Sequence, residues 1–242
     1  MDSGHVKQVA TFEKLLGFCN AHGAMFNPSK AAIKPTALSN LLTSAQHSIE
    51  AVKTMRTEYD NAVNNRNQAF DELPKFMTRI VNALASTEAS PATVKEAYIF
   101  SNRMRPKPRL RPAIPSGNAN AESEPASTRS ISQLDFDSKT DNFEALVKVV
   151  SLEPFYKPNE ADLKVASLRE KAASLNSMNT VVINTQVALS NARADRNKLL
   201  YETNGIHDSS KAIKHYVKGV FGFQSTAYRQ ISGLAFKDQN IA

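Results

Sequence analysis

Residues 61–70 read NAVNNRNQAF, and residues 191–200 read NARADRNKLL. Asn, Ala, Arg and Asn stand at the same four places in both. A skeleton that returns at a fixed distance is the mark of a duplicated unit. Sliding the chain against itself by 130 residues sets positions 24–73 on 154–203 without a gap. Identical pairs include Pro28/Pro158, Lys34/Lys164, Leu38/Leu168, Val52/Val182, Asn61/Asn191, Arg66/Arg196 and Asn67/Asn197. In all, 11 of the 50 positions match, against about 3 expected by chance in a biased composition. Other pairs keep their chemical type, among them Phe26/Tyr156, Ile33/Leu163 and Phe70/Leu200. Upstream, TFEKLLGF at 11–18 echoes NFEALVKV at 142–149, one residue out of that register. The expected organisation is a first repeat at 5–104, a basic, Pro/Ser-rich linker at 105–133 and a second repeat at 134–237.

The fold class expected from these residues is all-α. The chain of 242 residues has eight glycines and no tryptophan, whereas sheets call for more β-branched residues, aromatics and tight turns. Each repeat reads as four helices. In the first, Val9, Phe12, Leu15, Leu16 and Cys19 form one apolar stripe. After the loop FNPSKAAIKP, a long helix is expected with Thr36 as N-cap and Leu38, Ile49, Val52, Tyr59, Val63 and Phe70 along one face. Its counterpart is expected to start earlier, at Asn159, because Val165 stands where Pro35 stands and Glu160 and Asp162 suit a helix N-terminus. Leu73-Pro74 breaks the long helix, and Ser90-Pro91 opens the fourth. Asn204-Gly205 and Gly222 make the breaks of the second repeat. Such units have the length and loop pattern of four-helix bundles. A helix of about 35 residues spans about 50 Å, so an elongated molecule is expected.

The layout resembles a group of uncharacterised bacterial proteins with two helical repeats, joined by a basic, Ser-rich connector and carrying the same FxxL and NAxxxRN elements. That resemblance implies a fold and no chemistry.

On a helical wheel Arg66 falls within about 20° of Tyr59 and about 40° of Phe70, so it points into the apolar face. Arg196 does the same between Leu189, Ala192 and Leu200. A buried guanidinium costs several kcal/mol unless it is partnered. Glu13 and Glu144, each directly after a retained Phe, are the expected acceptors, and the pairs Arg66–Glu13 and Arg196–Glu144 would pin the first helix of each repeat to the second. The other readings are an arginine that snorkels to water and a guanidinium that grips a ligand carboxylate or phosphate. Asn67 and Asn197 read as hydrogen-bonders at the helix edge.

No catalytic spacing occurs in the sequence: no Glu-x-x-His, no His-Glu-x-x-His, no Cys-x-x-Cys, no Gly-rich phosphate loop and no Gly-x-Ser-x-Gly. His5, His22, His47, His207 and His215 are scattered and unrepeated. Cys19 is the single cysteine, so an internal disulfide is excluded and a reducing, cytoplasmic location is expected. No run approaches the roughly 18 apolar residues of a membrane span. The expectation is a non-enzymatic structural or scaffold protein, without cofactor, metal or small-molecule substrate, that binds a protein partner or itself.

The net charge of +7 is uneven along the chain. From 103 to 130, six cations face two carboxylates, and the densest run is Arg103, Arg105, Lys107, Arg109 and Arg111. Alternation with proline favours an extended chain there. The alternative function is therefore nucleic-acid association through this basic linker. No aromatic is interleaved between 101 and 130, so base stacking has no platform in it.

Overall fold

The computed structural model describes residues 3–104 and 135–237. Among them the regular structure is helical throughout, with no strand. The helices are α1 (Ser3–Ala21), α2 (Pro35–Asp71), α3 (Leu73–Ala85), α4 (Pro91–Arg103), α5 (Phe136–Leu152), α6 (Val165–Tyr201), α7 (Ile206–Phe221) and α8 (Thr226–Ser232).

These helices form two compact units, whose bounds do not follow the two repeats expected from the sequence. The first unit comprises Met1–Asp60 and Thr185–Ala242, and the second Asn61–Asn184. The core of the first unit joins Phe12, Leu15, Cys19, Leu38 and Ala45 from the N-terminal half of the chain to Leu200, Ile206, Ile213, Val217 and Ile231 from the C-terminal half. In the second unit, Phe70, Leu73, Met77, Ile80 and Leu84 pack with Phe143, Leu146, Val150, Leu168 and Leu175. Whether the repeats share a core is a question that helical periodicity leaves open. Here each core takes one wall from the beginning of one expected repeat and the other from the end of the other.

Both long helices are 37 residues long and are entered in the same way. A single 3-10 turn, Ala31–Ile33 or Ala161–Leu163, precedes each. Lys34 (ψ 149°) and Lys164 (ψ 142°) then extend the backbone. Their carbonyls accept the first helical bonds, from the Leu38 and Leu168 N–H groups, each at 3.0 Å. Lys34, not Thr36, thus takes the cap position, as Pro35 requires of the residue before it. The earlier start expected at Asn159 is not seen. Asp162 lies in the 3-10 turn and Glu160 directly before it, and Tyr156 holds that turn by donating its hydroxyl to the Leu163 carbonyl at 2.9 Å. Ser167 Oγ donates to the Ala161 carbonyl at 2.8 Å. The turn is thus tied down from two sides, and Leu163 is buried as Ile33 is.

The remaining boundaries follow local chemistry. Ser90 accepts from the Thr93 N–H at 3.1 Å, and Pro91 follows it. Asp135 caps α5 by accepting from the Ser138 N–H at 2.7 Å. Pro74 sits in the first turn of α3, where its missing N–H costs nothing. Asn204 adopts φ 61°, after which Gly205 caps α7.

Gly205 has an ordinary φ of −68°, yet a Cβ there would lie 2.8 Å from both the Glu202 and the Leu199 carbonyl oxygens. Gly205→Ala should therefore cost about 1–3 kcal/mol, since backbone must move to admit the methyl. Gly219, inside α7, has nothing within 4 Å of the same position. Gly219→Ala should stabilise by up to about 1 kcal/mol through helix propensity alone. Thermal melts of the two variants should move in opposite directions, and a shared direction would show that the close approach at Gly205 does not govern it.

Candidate functional site

The repeated arginines occupy unlike surroundings. Arg196, on α6 in the first unit, is buried at 4% exposure. Its Nε and Nη2 donate to Asn197 Oδ1 at 3.2 and 2.9 Å, so the Asn of the repeated Arg-Asn pair serves as an acceptor for its own neighbour. Arg66, on α2 in the second unit, is half-buried. Its Cζ lies 3.9 Å from the centroid of the Phe136 ring, and its Nε has no hydrogen-bond partner. Phe136 also meets Phe70 edge-on at 5.0 Å and the Lys139 ammonium at 5.3 Å. A residue that opens α5 thus becomes the cushion for a cation on α2. Upstream the repeats run one residue out of register, which puts His5 opposite Phe136. The ring of His5 packs instead on Tyr201 at 6.2 Å.

Neither expected pair falls within a single unit. Glu13 is exposed on α1 in the first unit, whereas Arg66 is in the second. Glu144 is exposed on α5 in the second unit and accepts from Asn176 Nδ2, whereas Arg196 is in the first. An Arg66–Glu13 pair in the repeat register requires α1 to run beside the whole of α2. In the first unit α2 contributes only its part up to Asp60, and the half that carries Arg66 belongs to the second unit. Removing Arg66 should accordingly be mild. Arg66→Met should cost about 1 kcal/mol, the worth of a cation–π contact that is only partly desolvated. Glu13→Leu should add to it independently, with a coupling below about 0.5 kcal/mol. Chemical denaturation of the two single variants and the double variant measures this, and a coupling of several kcal/mol would restore the ion pair.

Of the basic run, only Arg103 lies within the described residues. It ends α4 half-buried, its Cζ 5.3 Å from the Phe100 ring. Arg105, Lys107, Arg109 and Arg111 lie outside them.

Among the described residues there is no group of three His, Cys, Asp or Glu side chains that could hold a metal ion, and no helix is long and apolar enough to cross a membrane. Cys19 is buried and its thiol is pushed up to about 12 by desolvation, which removes the thiolate that nucleophilic chemistry needs. Burial, with the nearby Asp162 and Glu160 charges behind it, raises the Tyr156 hydroxyl to about 12. One cleft in the second unit is lined by Glu72, Phe76, Asp162 and Lys171, and Arg79 pairs with Asp162 beside it at 2.8 Å.

The charge of the folded chain is distributed by unit, not by repeat. Over residues 3–60 and 185–237 the first unit has fourteen Lys and Arg against seven Asp and Glu, a net +7. The described part of the second unit has eleven against twelve, a net −1. Much of the excess lies on α7, α8 and the residues after them. Residues 209–237 hold Lys211, Lys214, Lys218, Arg229 and Lys237 without one carboxylate, among five aromatic residues. This pattern is plain in the sequence once the C-terminal segment is counted by itself. It is diluted when charge is summed over everything outside the linker.

No family model matches the chain, and no curated protein or solved structure does so either.

Proposed function

We propose that the chain is a duplicated helical protein, two homologous repeats folded into two bundle-like units, and that it serves as a non-enzymatic scaffold with one contact on each unit. The observation that carries this reading is a matched pair of exposed apolar side chains. Met25 is 64% exposed and Phe155 51%, and they stand 130 residues apart, in the register of the repeat. Each directly precedes a buried aromatic, Phe26 or Tyr156. The loop is therefore anchored by one ring while its neighbour faces water. A large apolar side chain held outward at the same place in both units is suited to a contact with protein, and two such places on one chain allow it to bridge. In the second unit Leu152, 74% exposed, lies three residues before Phe155 and enlarges the contact.

Self-association tests the reading. Two contacts per chain should give species that grow with concentration beyond a pair, measured as mass by sedimentation or light scattering. Met25→Ser and Phe155→Ser should each limit growth, and the double variant should stay at 26.6 kDa. A wild-type chain that remains at that mass at every concentration, or a double variant that assembles as wild type does, would overturn it.

A further inference from the structure

The α7–α8 hairpin of the first unit combines cations, an exposed aromatic and a shortage of negative charge. Lys211, Lys214 and Lys218 recur at helical spacing, so they share one flank of α7 over about 10 Å. Lys214 is committed to the fold: its ammonium donates to the Ser232 carbonyl at 3.2 Å and to that of Leu234, fastening the end of α8 to α7. The α8 cation Arg229 stands one turn before Ser232, in the last turn of that helix. Lys211, Lys218 and Arg229 are exposed. Asp208, at the start of α7, accepts from the Asn204 N–H at 3.1 Å and pairs with Lys30 at 3.4 Å, and the Lys211 charge acts on it as well.

Beyond the end of α7, Gly222 turns the chain at φ 89° and sets Phe223 outward, 65% exposed. The Phe223 ring leans on Tyr228 at 5.6 Å, and the Lys218 ammonium stands 5.3 Å from its centroid. An exposed ring held by a second ring, beside cations spaced along a helix flank, has the two components by which single strands are bound without regard to sequence: phosphate neutralisation and base stacking.

We propose that this α7–α8 face is a binding surface for single-stranded nucleic acid, with phosphates along Lys211, Lys218 and Arg229 and a base stacked on Phe223. An anionic membrane would use the same charge, but it calls for apolar tips that stand clear of the fold, whereas Phe223 is braced by Tyr228 and attended by a lysine. A duplex would satisfy the cations and leave the ring unused, since its bases are already stacked. This activity is separate from the bridging contacts at Met25 and Phe155 and stands or falls without them.

The test is fluorescence anisotropy of a labelled oligothymidylate with the full chain across a salt series, with circular dichroism to verify that each variant is folded. Wild type should bind at low salt. Replacing Lys211, Lys218 and Arg229 together by Gln should weaken binding at least about tenfold and flatten the log–log salt slope by about 2, near 0.7 for each lost phosphate contact. Phe223→Leu, which keeps an apolar side chain, should weaken binding at least about fivefold with the slope unchanged. Replacing Arg105, Lys107, Arg109 and Arg111 by Gln should leave the effect of the other variants intact. The proposal is overturned if wild type ignores the oligonucleotide at low salt, if the triple variant binds as wild type does, if only the 105–111 replacements abolish binding, or if phosphatidylserine vesicles are bound while the oligonucleotide is not.

Discussion

Residues 1–104 and 134–242, produced as two separate chains, should each fail to fold and should recover native helicity and one-to-one association when mixed. The expectation follows from the composition of the cores. In the second unit the N-terminal piece supplies Phe70, Leu73, Met77, Ile80 and Leu84, and the C-terminal piece supplies Phe143, Leu146, Val150, Leu168 and Leu175. The first unit is divided in the same manner. Fully burying one such side chain is worth roughly 1.5–3 kcal/mol, and a whole domain is stable by only about 5–15 kcal/mol. Losing one wall of both cores therefore exceeds any margin a single piece could keep. Circular dichroism of each piece should show little cooperative melting, and the mixture should melt as the intact chain does apart from its dependence on concentration. If either piece alone gives a sharp, concentration-independent transition, the repeat is an autonomous bundle and the shared cores described above are wrong.

The second large effect concerns the rings of the repeated Phe-Glu pair. Phe12 and Phe143 are each 0% exposed, one in each core, while Glu13 and Glu144 beside them face solvent. Truncation of either ring should leave a cavity in well-packed surroundings. Phe12→Ala and Phe143→Ala should each cost about 3–5 kcal/mol, a fall in melting temperature on the order of 10 °C for a chain of this size. Glu13→Ala, by contrast, should stay within about 0.5 kcal/mol, as surface changes do. Differential scanning calorimetry distinguishes these. A loss below about 1 kcal/mol at Phe12 would mean that α1 adds little to the core of the first unit.

Much of the helical layout was legible in the sequence, because the signals that determine it are local. The apolar stripes of α1 and α2, the Ser90-Pro91 start and the breaks at Leu73-Pro74, Asn204-Gly205 and Gly222 depend on residues within a turn or two of one another, and period, capping and backbone freedom operate at that range. The start of α6 departs from the sequence expectation for a related reason. Acidic residues at 160 and 162 suit a helix N-terminus, but the Tyr156 hydroxyl and Ser167 bind the preceding turn in its 3-10 form, and Tyr156 does so from seven residues away from the carbonyl it holds. The burial of Arg196 also follows from helical phase, whereas the acceptor role of Asn197 toward it does not.

What tertiary structure alone decided is which half of each long helix packs with which neighbour. A 37-residue helix is longer than one compact core, so its apolar face continues past the first set of partners and must be covered by a second set, and periodicity is blind to where the change occurs. That change falls after Asp60 on α2 and before Thr185 on α6. It assigns Arg66 and Glu13 to different units, and Arg196 and Glu144 likewise, leaves Phe136 to cover Arg66, and gathers the cations of both ends of the chain into one unit. The same residues, paired along the repeats, would have given two units of nearly equal charge. Hydrophobic burial sets the partners of each half-helix, and the electrostatic asymmetry is its consequence.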